Sequence, residues 1–410
     1  MSKKLLEGVK VIELANFIAA ATAGRFLADQ GATVIKVESA KGDPLRFTAP
    51  SEGRPLDWHE NTTWELENAN KLNISINTKS EEGREAFFKL LEDADVLITN
   101  WRQGPLERQG LDYESLKKRF PKLVYAICTG YGEYGPDKDL PGFDFTAFFA
   151  RGGYLETLRQ KSGLPMNVVP GTGDHNVGMN LAAGILAALY HARETGQGEK
   201  VESSLFETAV FNLGMAIQAA QYTEIGKAFP IDSSDYDNPL LSSWPTKEGR
   251  YIQTCMPNYN QYFKVFITTI GHPELAEDER YFPIQNLQAN GLGPELHKLI
   301  SETFKTKTVE EWRAPLVEAD IPFSLAQSLT DILDDPQAWD NDCFTAFEYE
   351  NGNTRTLVHQ PVRFAEQGKP EYRRGRFPGE DGPEILRQHG YSQERIDQMI
   401  ADGSLYVWSE

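Results

Sequence analysis

Three features of this 410-residue chain predict an α/β protein with a parallel sheet. VKVIELA, NFIAAATAGRFLADQG and ATVIKVE, residues 9–38, read as strand, helix and strand, the unit whose crossover makes neighbouring strands parallel. The alternation continues as NISIN, a helix from Ser80 to about Asp93, DVLIT, a helix after Asp112, and LVYAICT, so four or five parallel strands fill about the first 130 residues. Third, the polar stretch from Ser39 to about Asn70 contains Pro and Gly and reads as a long functional loop over such a sheet.

Further on, Leu181, Ile185, Leu186 and Leu189 recur at helical spacing, which predicts a helix from just after Asp174 to about Arg193. KVESSLFE is strand-like, and TAVFNLGMAIQAAQYTEIG reads as a second long helix before a Pro-containing linker at about Lys227–Tyr236. Short strands such as RYIQTCM then mix with helices such as QYFKVFITTIG and PELHKLISETF, the pattern of a smaller α+β domain. The tail carries a strand-like pair and the helix PEILRQHG, and has to pack on an earlier domain. The expected division is a large α/β domain at 1–226, a small domain at 227–330, and a segment at 331–410 that completes the large one.

Composition narrows the function classes. Hydrophobic residues make up 40% and charged residues 25%, and no apolar run approaches a membrane span. The N-terminus runs from two lysines into a strand pattern without a secretory apolar region, which points to the cytoplasm. Cys128, Cys255 and Cys343 are far apart and odd in number, unlike a disulfide framework or paired zinc ligands. A formal charge of −19 repels nucleic acid and anionic lipid, so an anionic ligand needs a local basic pocket. The seven histidines form no HExxH and no acidic loop resembles a calcium site, so a metal is not called for.

Chemistry concentrates at NVVPGTGDHNVGMN, where Asp174 stands between a glycine-rich turn and the predicted helix. Gly171 and Gly173 leave the backbone open to a bulky substrate. A helix start stabilises a carboxylate by roughly 0.3–1 kcal/mol and favours an ionised, nucleophilic Asp174. The same position suits an ordinary N-cap. Other motifs fall short. The first turn has Gly24 alone where a dinucleotide fingerprint needs three glycines; GDHNVGMN has Met179 and Asn180 where a phosphate loop needs Lys and Ser or Thr; no GxSxG occurs; and Cys128 has no histidine nearby in sequence. Lys79, Asn100, Trp101, Arg102 and Arg108 gather after predicted strand ends, where they suit an aromatic base and phosphates. Phe143, Phe145, Phe148 and Phe149 read either as an apolar wall or as core.

The segments LLEGVKVIELANFIAAATAGRFLADQGATVIKVESAKGDPLR, ENANK, TNWRQGPLERQGL, TGYGEYGP with PGFDFTAF, GTGDHNVGMNLAAGILAALYHARETGQG, and PGEDGPEILRQHGYSQERIDQMIADG resemble the class III coenzyme A transferases, the formyl-CoA and carnitine-CoA transferase family. The resemblance spans nearly the whole chain and is weakest across about 230–330. It implies a Rossmann-like large domain, a smaller domain, and an interlocked homodimer in which each chain is an open ring threaded by the other. It implies that Asp174 is the catalytic nucleophile, and that Phe17, Ile18, Ala19, Ile76, Lys79, Asn100, Trp101, Arg108 and Gln109 match CoA-contacting positions. ELANFIAA, FTAPSEGRP, ENTTWELENANK, NWR and NVVPGTGDH are similar to enzymes of amino-acid-fermenting anaerobes that move CoA from an enoyl-CoA to an (R)-2-hydroxy acid such as 2-hydroxyisocaproate or phenyllactate.

Two departures matter. The glycine run that covers the site in formyl-CoA transferases is replaced by DNPLLSSWPTKEG, which disfavours formyl and oxalyl substrates and suggests a cover that includes Trp244. A basic residue near the pantetheine is unmatched at Pro141, with Lys138 close by. The expected chemistry is an aspartyl mixed anhydride followed by an aspartyl-CoA thioester, with CoA thioester as substrate and no resident cofactor. Amides around Gly171 and Gly173 are the expected oxyanion donors. The implied partners are an acyl-CoA, a free 2-hydroxy acid and, functionally, a 2-hydroxyacyl-CoA dehydratase. An acyl-CoA racemase of the same fold and a non-catalytic CoA-ester-binding subunit are the alternatives.

Overall fold

The computed structural model describes residues 4–222, 229–368 and 371–409. Contacts divide the chain into two units, Met1–Tyr154 with Asn167–Gln218 and Pro336–Glu410, and Leu155–Met166 with Ala219–Asp335. The expected boundary at 226/227 lies outside the described residues.

The first unit is built on a seven-stranded sheet. Five strands fall where the apolar runs predict them: β1 (Lys10–Leu14), β2 (Thr33–Glu38), β3 (Leu72–Ile76), β4 (Val96–Thr99) and β5 (Val124–Thr129). Between them run α1 (Ala19–Asp29), α2 (Thr62–Asn68), α3 (Glu81–Leu91), α4 (Gln103–Gln109) and α5 (Tyr113–Arg119). Ser80 caps α3 by accepting from the Gly83 amide, and Asp112 caps α5 by accepting from Ser115, as Ser and Asp at such positions should. The stretch 39–70 is not all loop: it holds two 3₁₀ turns and α2, because Asn61 caps a helix there.

A π-helical segment (Asp144–Arg151) and the short α6 (Tyr154–Thr157) precede α7 (Thr172–Thr195) and β6 (Lys200–Ser204). The single long helix expected after residue 207 is broken into α8 (Leu205–Asn212) and α9 (Gly214–Ala219); its last residues, 223–226, lie outside the described residues. Ser204 ends β6 and caps α8 at once, which places the helix start three residues earlier than its pattern suggests.

The second unit has its own antiparallel sheet, β7 (Ser243–Pro245), β8 (Tyr251–Thr254) and β9 (Phe323–Leu325), with α10 (Tyr259–Thr269), α11 (Ile284–Ala289), α12 (Gly293–Phe304), α13 (Val309–Glu318) and α14 (Leu329–Leu333). Its core is aromatic, with Trp244, Phe263, Phe266, Phe304 and Trp312 fully buried. Trp244, expected in a cover, belongs to that core: Nε1 donates to Thr254 Oγ1 at 2.8 Å and the ring stacks on Phe304. An indole with its polar atom satisfied and its face packed is not free to close over a ligand.

The tail returns to the first unit through α15 (Pro336–Asp340), the hairpin β10 (Phe344–Glu348) and β11 (Thr354–Val358), α16 (Gly382–Gln388), α17 (Gln393–Ala401) and β12 (Leu405–Tyr406). The sheet order is β12-β3-β2-β1-β4-β5-β6, parallel throughout except for the edge strand β12. Ile12 pairs with Ile35 on one side and Leu97 on the other, and the strands are buried, as a parallel sheet under helices requires.

Candidate active site

Sheet order decides where the site is. β1 has β2 on one side and β4 on the other, so the crossovers diverge and a crevice opens beyond the carboxyl ends of these strands. Two loops are stitched together there. The Asn16 amide donates to Asn100 Oδ1 (3.1 Å), Asn100 Nδ2 donates back to the Asn16 carbonyl (2.8 Å), and Thr99 Oγ1 donates to the Leu14 carbonyl (2.9 Å). The crevice widens into a cleft of about 720 Å³ that reaches Asn16–Ala19, Asn100–Arg102, Cys128–Gly130, Leu140–Thr146, Pro170, Gly171, Asp174 and Leu205. That volume suits a sizeable organic ligand.

Phe17 marks the turn from β1 into α1. Its φ is 60°, a left-handed conformation that a bulky residue adopts only when held. The Phe17 amide donates to Asp43 Oδ1 at 3.0 Å, and its ring meets Phe143 edge-on at 6.1 Å. Of the four phenylalanines, Phe143 and Phe145 are exposed along the cleft, whereas Phe148 and Phe149 are buried and pack as a core pair.

Asp174 is the third residue of α7. The cap is Gly171, at φ 87°, and the carboxylate that satisfies the helix start comes from Asp144. Asp144 Oδ2 accepts from the Gly171 amide and Oδ1 from the Gly173 amide, both at 2.9 Å. A Cβ at Gly173 would lie 2.3 Å from Phe148 Cγ and 2.4 Å from Asp144 Oδ1, so glycine is what lets this carboxylate reach the backbone. Two expectations change. The space at Gly173 is filled by the protein itself, and the two amides expected for a substrate oxyanion are committed to Asp144.

The protonation of Asp174 also departs from expectation. Burial, then the Asp144 charge, push its carboxyl up to about 7; His175 opposes this and Glu67 adds to it. A helix start worth roughly 0.3–1 kcal/mol moves a carboxyl by less than about one pH unit, too little to offset desolvation and a like charge. Asp144 is itself raised by burial, which outweighs its amide donors and the His175 charge. Cys128 lies in the cleft wall, but burial and the Asp174 charge hold its thiol far above the ordinary range, so it is no nucleophile.

Phe17, Ile18, Ala19, Asn100 and Trp101 line the cleft with Asp174 and Gly171. Ile76, Lys79, Arg108 and Gln109 do not. Ile76 is buried at the end of β3, two strands from β1; Lys79 is exposed in the turn beyond it; Arg108 is exposed and Gln109 half-buried at the end of α4. Lys138 is exposed and is not among the lining residues, whereas Pro141 is. Among the described residues no group of three His, Cys, Asp or Glu could hold a metal ion, and no helix is long and apolar enough to cross a membrane. Sequence reasoning missed the capping role of Asp144, because 27 residues separate it from Gly171 and only the tertiary fold joins them.

A sequence profile of CoA-transferase family III matches residues 6–381. The chain belongs to CoA-transferase family III. This family III chain is 52% identical over 406 residues to the cinnamoyl-CoA:phenyllactate CoA-transferase of Clostridium sporogenes, covering 99% of this chain and 98% of that one. It is 43% identical over 393 residues to the (R)-2-hydroxy-4-methylpentanoate CoA-transferase of Clostridioides difficile, covering 96% and 97%. A crystal structure of a CAIB/BAIF family protein from Brucella suis superposes with a TM-score of 0.79 at 28% identity, covering 95% of this chain and 100% of that one.

Proposed function

We propose that the enzyme moves CoA from an enoyl-CoA or similar acyl-CoA to an (R)-2-hydroxy acid, with Asp174 as the nucleophile. The observation that carries this reading is a desolvated carboxylate in the lining of a cleft formed at the switch point of the sheet. A carboxylate raised to about 7 is more basic and more nucleophilic than one in water, and half of it is ionised at neutral pH. Its Oδ attacks the donor thioester carbonyl, the C–S bond breaks, and CoA leaves as thiolate from an aspartyl mixed anhydride. The thiolate then attacks the aspartyl carbonyl and expels the donor carboxylate, leaving an aspartyl-CoA thioester. The carboxylate of the hydroxy acid attacks that thioester and releases the thiolate, which finally attacks the acyl carbonyl and regenerates Asp174. No net bond energy is consumed, so no ATP is required. Water has to be excluded because it would hydrolyse either intermediate.

The names of the two similar enzymes support an aryl or branched-alkyl hydroxy acid, and the exposed Phe143 and Phe145 suit such a group. Phe17, Ile18, Ala19, Asn100 and Trp101 are the proposed near contacts of CoA, and Lys79, Arg108, Ile76 and Gln109 belong to a more distant part of the same ligand. A homodimer is part of this reading, supported by α8 and α9, which leave Phe211 and Met215 exposed; a monomeric mass in solution argues against it. Three unpaired cysteines support a cytoplasmic setting, and a 2-hydroxyacyl-CoA product fits a dehydratase as the next enzyme.

The experiment is transfer between cinnamoyl-CoA or isocaprenoyl-CoA and a panel of 2-hydroxy acids, with hydroxylamine trapping. Asp174→Ala should lower transfer by at least about 10⁴-fold while CoA-ester binding persists. A few percent of residual transfer, or no adduct on Asp174, removes it from this role. A racemase exchanges the α-proton without an adduct, and a binding subunit gives no exchanged thioester.

A further inference from the structure

The acidic cluster at the start of α7 contains a group the mechanism above does not use. His175 follows Asp174, and its Nε2–H donates to Glu67 Oε1 at 2.8 Å. Glu67, on α2, is 2% exposed, and its other oxygen accepts from Thr22 Oγ1 of α1 at 2.8 Å. The imidazole is thus tied to α2, and through Glu67 to α1, while 40% of its side chain stays open to solvent. Resting on the reading of Asp174 as nucleophile, we propose that the Glu67-held imidazolium of His175 is a positioning residue that supplies the positive charge the Asp144–Asp174 pair otherwise lacks.

The charges facing this point support it. The π-helical segment contributes Asp144, α2 contributes Glu67, and β5 contributes the un-ionised Cys128. Other charged groups of the packed elements are engaged elsewhere: Arg25 of α1 pairs with Asp29, Glu65 of α2 accepts from the Gly375 amide, Arg151 of the π-helical segment pairs with Asp137, Lys200 of β6 pairs with Glu133 and Glu202, and Glu207 of α8 accepts from Ser204. Arg102 lines the cleft, yet the positive charge that acts on both Asp174 and Asp144 is that of His175. Burial alone would lower the imidazole; the hydrogen bond to Glu67 and the charges of Glu67, Asp174 and Asp144 outweigh it and raise it above its ordinary value. Three carboxylates therefore share one cation, and of the three it is Glu67 that holds the cation in place.

The test follows adduct formation on Asp174 in single turnovers from pH 5.5 to 9, in wild type, His175→Gln and His175→Lys. His175→Gln should move the acid limb up by about one pH unit, giving up to about tenfold slower acylation below pH 6.5 and little change at pH 9. His175→Lys, which keeps the charge, should restore the wild-type limb. An equal loss at every pH, or a limb that does not move, overturns the proposal in favour of a purely structural histidine. Wild-type enzyme that forms no adduct overturns the nucleophile reading instead. Independently of activity, the His175 ring should titrate above 6.5 by NMR in wild type and fall in Glu67→Gln; titration below 6.5 in wild type also overturns the proposal.

Discussion

Two sets of buried charges lie in the same unit and differ in balance. Beneath the β1–α1 turn, Glu13 bridges Lys36 at 3.0 Å and Lys71 at 2.7 Å, Lys36 also meets Asp43 at 2.9 Å, and Arg46 holds Glu38 at 2.7 Å. Each acid there has a base. The field of Asp43 and Glu13 overcomes burial and raises the Lys36 ammonium, while burial, aided by the Lys36 charge, brings Lys71 down to about 8, which still leaves it mostly charged at neutral pH. Around the α7 start, Asp144, Asp174 and Glu67 share the single imidazole of His175, and Asp174 is driven toward protonation. The balanced set is scaffolding: through Asp43 it holds the strained Phe17 amide in place. The unbalanced set leaves Asp174 disfavoured in its charged form, which is what the proposed nucleophile calls for and what a structural ion cluster avoids.

The largest effect should come from unbalancing the scaffold. Glu13→Gln leaves Lys36 and Lys71 buried beside a neutral amide and should cost about 3–5 kcal/mol in denaturant unfolding. A loss under about 1 kcal/mol would show that the network relaxes and that the comparison fails.

Balancing the acidic cluster at the α7 start should do the opposite. The Asp174 carboxyl is raised in the folded protein, so the native state holds more protons than the unfolded chain between about pH 4 and 7, and stability falls as pH rises through that window. Asp174→Asn removes this cost and should stabilise the enzyme by about 1–2 kcal/mol at pH 8, with no gain left below pH 4. Melting curves at the two pH values read it directly.

Asp144→Asn sharpens the contrast with His175. Losing a neighbouring negative charge should move the acid limb of acylation down from about 7 by about one pH unit, opposite in sign to His175→Gln, while the weakened cap costs about 1 kcal/mol. Smallest of all, Lys79→Ala or Arg108→Ala should weaken CoA-ester binding by about 0.5–1 kcal/mol, fading with added salt. Equal affinity in calorimetry at low salt would make them plain surface residues.

Local pattern was enough to read five strands and their helices, because apolar periodicity and caps such as Ser80 and Asp112 act within a few residues. It was enough, too, to single out Asp174 and the strand-end residues Asn100 and Trp101, whereas Phe17 came from the family resemblance and not from the pattern. Pattern failed where partners are distant. Trp244 reads as part of a cover over the site until Phe304 and Thr254 are seen against it. Asp174 reads as an ionised helix-start acid until Asp144 arrives from 30 positions away to take the amides and add its charge.

What the amino-acid order determined by itself was the alternation of strands and helices, the glycines that open the turn before α7, and the placing of one carboxylate there. Only the tertiary structure decided which carboxylate caps, which one is left destabilised, and which residues share the cleft. The reason is range: periodicity and capping are settled by neighbours along the chain, whereas desolvation and charge–charge coupling depend on what the fold brings alongside.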